Sequence, residues 1–75
     1  MGQIRDKKLL QKIALVLKQL RAEKAVSQDE VYVDTNIHIG RIETARANLT
    51  VSSLSTLAKY FKIKLSEFHK RVEEL

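Results

Sequence analysis

The sequence predicts an all-α fold of five short helices, with the second and third joined as a helix-turn-helix. Three observations predict it. Apolar residues recur at three- and four-residue steps, and strand-type alternation is confined to Val31-Tyr32-Val33. Proline is absent, and the only glycines are Gly2 and Gly40. Serine or threonine stands where successive apolar stripes begin.

The first helix is read from about Asp6 to Glu23, on the stripe Leu9, Leu10, Ile13, Leu17 and Leu20. Lys7, Lys8, Lys12 and Lys18 fall largely off that stripe, and Gln3-Ile4-Arg5 forms a lead-in. Ser27 caps a short second helix: its hydroxyl can accept from the first-turn backbone, and Glu30 stands at the capping-box position. Asp29 and Glu30 suit the positive end of the helix dipole. This helix is expected to stop near Val33 or Asp34. Thr35 then caps a third helix, Asn36 to Thr44, with Ile39 and Ile42 inward. Residues 46–50 read as a loop. Thr50 caps a fourth helix on Leu54, Leu57, Ala58 and Phe61, and Ser66 caps a fifth carrying Phe68, Val72 and Leu75. No sheet is expected.

Seventy-five residues make a single domain, 1–75, with residues 1–6 a flexible arm. Its core is small, so self-association is an expected supplement to stability. The absence of cysteine removes disulfides and thiolate metal sites and suits the cytoplasm. The longest apolar stretch, around Ile13 to Leu17, falls far short of the roughly 20 residues of a membrane span. No secretory signal stands at the N-terminus. The net charge of +5 suits a polyanion. Residues 1–24 hold seven Lys/Arg against two Asp/Glu, whereas residues 25–75 hold seven of each. The basic excess therefore lies in the first helix and its lead-in, which can track phosphates or simply be solvated.

A helix-turn-helix presents its second helix to the DNA major groove. Gln28, at the first turn of the second helix, lies beside free backbone N–H groups on which a phosphate can dock. Asn36, Ile37, His38, Gly40 and Arg41 are the candidates on the third helix. Arginine grips guanine O6 and N7, asparagine grips adenine N6 and N7, and isoleucine can meet a thymine methyl. Gly40 costs about 1 kcal/mol of helix propensity relative to alanine. Close backbone approach to DNA would justify that cost; so would tight packing within the protein. No catalytic constellation stands beside this. His38 and His69 are far apart in sequence, belong to no metal-ligand spacing, and Glu73-Glu74 lies at the C-terminal end. The chain reads as a non-enzyme without metal or cofactor.

Leu17 to Lys24, then Ser27-Gln28, Arg41-Ile42-Glu43, Asn48 and Leu54 to Phe61 together resemble the Cro/cI-type (XRE) helix-turn-helix family, over roughly residues 9–69. The resemblance implies a compact, lambda-repressor-like DNA-binding domain. It implies a small stand-alone prokaryotic or phage regulator, a repressor or autoregulator, binding double-stranded operator DNA as a homodimer on an inverted repeat. It also implies that Gln28 contacts the DNA backbone or an edge base and that the loop residues Arg46 and Asn48 follow the phosphates; Asn48 can instead cap the fourth helix. Arg21 and Glu43 would form a structural ion pair. Val72 and Leu75 are the expected dimer surface, with Phe68 in the core. The alternative is an antitoxin-type module that uses the same fold to bind a protein partner. The chain departs from the family in two places. The interval from Gln28 to Glu43 is a few residues shorter, making Asn36 or Asp34 the candidate for a left-handed position. Ala45 stands where the family commonly ends its third helix with glycine.

Overall fold

The computed structural model describes residues 3–4, 6–45 and 49–75. Five helices follow one another: α1 Lys7–Lys24, α2 Gln28–Thr35, α3 Ile39–Glu43, α4 Val51–Tyr60 and α5 Leu65–Glu73. The long α1 is central and packs against α3 and α5; α2 rests on α3 and α4, and α4 on α5. Asp6 caps α1 by accepting the Leu9 N–H. Its inward stripe is Leu10, Ile13, Ala14, Val16, Leu17 and Leu20. Phe68 and Val72 from α5, Leu54 and Leu57 from α4, Val31, Ile39 and Ile42 complete the core. Leu9 of the expected stripe sits at its edge, and Phe61 is only partly buried.

Three elements differ from the sequence expectation. First, there is a minimal sheet. Residues 3–4 (β1) pair antiparallel with residues 49–50 (β2), Gln3 opposite Thr50 and Ile4 opposite Leu49. Leu49 is buried at 1 % exposure, and its burial pins the register to which the lead-in backbone can pair.

Second, α2 runs on through Thr35, which ends this helix instead of opening the next. The Thr35 hydroxyl donates to the Val31 carbonyl at 2.7 Å and accepts the Ile37 N–H at 3.2 Å. Asn36 then takes the left-handed conformation, φ 62°, and its N–H bonds to the Tyr32 carbonyl. This is a local αL stop that asparagine tolerates.

Third, α5 begins at Leu65 with Lys64, not Ser66, at the cap, and without a side-chain cap bond. Leu65, Phe68 and Val72 lie on one helical stripe against the core, so the helical phase must already include Leu65. Thr50 does cap α4, accepting the Ser53 N–H.

Candidate nucleic-acid interface

The α2–turn–α3 unit starts at a complete capping box. Ser27 Oγ accepts the Glu30 N–H at 3.1 Å, and Glu30 Oε1 accepts the Ser27 N–H at 3.0 Å. Asn36, Ile37 and His38 are all that separate α2 from α3. The five-residue α3 is too short to hold by its own hydrogen bonds. It is held because Ile39 is fully buried and Ile42 nearly so, which turns Gly40 and Arg41 outward.

Its last residue is its strongest anchor. Glu43 is the one buried charged side chain among the described residues. Its Oε2 accepts Arg21 Nε at 2.7 Å; its Oε1 accepts a second Arg21 nitrogen at 3.0 Å and Gln28 Nε2 at 2.9 Å. Arg21 also donates to the Val26 carbonyl at the α1–α2 junction. A carboxylate removed from water is tolerable only when its lone pairs are satisfied, and here three donors do so. The bond from Glu43 raises Arg21 above its ordinary pKa, so the guanidinium stays charged. One side chain thus ties α1, α2 and α3 together and sets the angle of α3.

Between α2 and α3 lies an open groove of about 300 Å³. Gln28, Asp29 and Tyr32 form one wall, and His38, Ile39, Gly40 and Arg41 the other. Tyr32 and His38 stack across the turn, with ring centroids 4.2 Å apart and planes inclined by 24°. No salt bridge among the described residues engages Arg41. At the far end of α2, the Tyr60 hydroxyl donates to Asp34 Oδ2 at 2.8 Å. That bond to a carboxylate pushes the phenol up to about 12.

The structure brings Gln28, His38, Gly40 and Arg41 together on this groove. Asn36, Ile37 and His38 belong to the turn and not to the third helix, because α2 is longer than its sequence suggested. Ile37 is half-buried and packs on the core. The Gln28 amide is committed to Glu43. Gly40 has its room filled from within the protein: a Cβ there would lie 2.9 Å from Gln28 Oε1. Arg46 and Asn48 lie outside the described residues. Val72, expected at a dimer surface, is 3 % exposed and closes the core beside α1, whereas Leu75 is 48 % exposed. The helical stripe that buries Phe68 carries Val72 with it, one turn later. Sequence reasoning missed Tyr32. Its signal was its place one helical turn after Gln28, on the same face of α2.

This arrangement has a solved counterpart. The restriction-modification controller protein C.Esp1396I, determined as a tetramer in complex with its natural 35 base-pair operator, superposes with a TM-score of 0.78 at 29% sequence identity, over 88% of this chain and 91% of that one. The chain has the helix-turn-helix fold of this controller protein. An arginine-to-alanine variant of C.Esp1396I superposes with a TM-score of 0.79 at 29% identity, over 88% of this chain and 92% of that one. No protein-family model matches the sequence, and no curated protein does. Among the described residues no group of three His, Cys, Asp or Glu side chains could hold a metal ion. No helix among them is long and apolar enough to cross a membrane.

Proposed function

We propose that this protein is a sequence-specific, double-stranded DNA-binding transcriptional regulator that acts as a homodimer on an inverted-repeat operator, as a repressor or autoregulator. One observation carries the reading. The α2–turn–α3 pair is locked to α1 through Glu43 and leaves an open groove edged by Arg41, which no salt bridge among the described residues engages, in a fold shared with a controller protein solved on its operator. Arg41 and His38 would read base edges, with Asn36 beside them on the turn, while Arg46 and Asn48 follow the backbone. The exposed lysines of α1, including Lys7, Lys8 and Lys18, supply the long-range attraction to phosphate. Leu75, apolar and exposed at the end of the chain, contributes to the dimer surface.

Selection of genomic fragments with the purified protein at near-physiological salt tests this. The expected result is an enriched inverted repeat, with half-sites on the order of 34–36 Å apart. Log affinity should fall with log salt by about 0.9 for each phosphate neutralised. Folded protein that enriches no fragment would turn the reading toward a protein partner, the antitoxin-type alternative.

A further inference from the structure

We propose that Tyr32 sets DNA sequence preference at second hand, by holding the His38 imidazole in one orientation so that it donates to a purine N7 in the major groove. The inference rests on the DNA-binding reading above and deepens it. His38 sits on a backbone of φ −78°, ψ 77°, outside the helical region, and its side chain makes no cap hydrogen bond. Among the described residues the imidazole has no hydrogen-bond partner at all, and the side chain is exposed. An exposed, untethered side chain at a turn samples several rotamers and must be ordered each time it binds. Here one contact orders it in advance, the stack on Tyr32 at 4.2 Å and 24°.

The stack joins the end of the turn to the body of α2, across the three-residue connection that the short interval leaves. Stacking uses the ring faces and leaves both in-plane nitrogens for hydrogen bonds. The pair lines the same groove as Arg41. A single imidazole N–H matches an acceptor that guanine and adenine both present at N7. Tyr32 is therefore a positioning residue, and His38 the residue that touches the base.

The test is selection from a random-sequence duplex library with four proteins: wild type, Tyr32→Phe, Tyr32→Ala and His38→Ala, each checked for its unfolding midpoint. Wild type should select a motif in which one position of each half-site accepts either purine. Preference there should fall by about tenfold, the loss of one good base contact, in both His38→Ala and Tyr32→Ala, while Tyr32→Phe retains it. Preference at the other positions and affinity for unrelated DNA should be unchanged. If Tyr32→Ala does not fold, Tyr32→Leu, which keeps apolar bulk without a flat ring, makes the same comparison. Full preference in the ring-less variant overturns the proposal, as does a loss spread evenly over all positions or a failure of phenylalanine to retain it. A wild-type protein that selects no sequence is a different result: it overturns the DNA-binding reading itself and the inference with it.

Discussion

A Cβ added to Gly40 would lie 2.9 Å from Gln28 Oε1, closer than real side chains come. The glycine therefore makes room for a carboxamide of the same protein, whose Nε2 reaches Glu43 at 2.9 Å. Its backbone φ is not positive, so conformation does not demand glycine here. What Gly40 protects is the path of the Gln28 side chain across α3.

Gly40→Ala sets two effects against each other. The helix gains about 1 kcal/mol of propensity. The Gln28–Glu43 bond, to a charged acceptor, is displaced at a cost of roughly 1.5–3 kcal/mol. The expected net is a loss of about 1 kcal/mol in urea unfolding. In a Gln28→Ala background the obstruction is gone, and the same substitution should stabilise by about 1 kcal/mol. An identical effect in both backgrounds would separate Gly40 from Gln28.

Glu43→Ala leaves Arg21 and Gln28 without their shared acceptor. Arg21 keeps partial access to water, its side chain 23% exposed, so it can recover some solvation. A stability loss of order 3 kcal/mol is expected, because the carboxylate side of the pair is buried. DNA affinity measured on the same samples should fall with it, since α3 loses its anchor. Unfolding and binding curves that match wild type would remove this pair from the account.

Among the described residues four other than glycine hold positive φ: Ala25 at 59°, Asn36 at 62°, Ala45 at 61° and Lys62 at 56°. Ala25 closes α1 in a Schellman arrangement, the Val26 N–H reaching the Arg21 carbonyl. A Cβ in this region costs on the order of 1 kcal/mol, partly offset by the greater freedom glycine gives the unfolded chain. Ala25→Gly and Ala45→Gly should each stabilise by about 0.5 kcal/mol. Ala22→Gly, an exposed position within α1, should instead destabilise by about 1 kcal/mol. Thermal unfolding of the three variants gives the comparison, and a loss at all three would argue against left-handed strain.

Tyr60 carries a pH dependence of definite sign. Its folded pKa lies near 12, above the ordinary 10.0, because its hydroxyl donates to Asp34 and the phenolate would face that carboxylate. An acid whose folded pKa is raised contributes stability that is complete below its ordinary value and is lost as pH climbs through the folded one. Between pH 10 and 12 wild type should therefore lose stability more steeply than Tyr60→Phe. Phenolate absorbance should show a late-titrating tyrosine that Tyr60→Phe removes. Parallel unfolding profiles for the two proteins would rule out the contribution.

Much of the scaffold was legible because it follows periodicity and local capping. The α1 and α4 stripes, the Ser27 box and the Thr50 cap depend on residues within a few positions of each other. Thr35 shows where that reading fails. A threonine just past the expected end of one helix looks like the start of the next, yet its hydroxyl is spent backwards on the Val31 carbonyl. The choice between the two roles depends on Val31, which is fully buried and holds α2 helical up to the turn. The same cause moved Asn36, Ile37 and His38 out of the helix and into the turn.

By itself the sequence determined a five-helix chain, a helix pair with a tight connection, a basic first helix and several of the residues at the groove, because these depend on spacing and composition. The tertiary structure alone decided how those residues are used. Only the packing of the helices brings the Gln28 amide to the Arg21–Glu43 pair, stacks Tyr32 on His38, buries Val72 and gives Gly40 its reason. These relationships join residues on different helices, and their distances are set by helix angles and buried volume that no local pattern encodes.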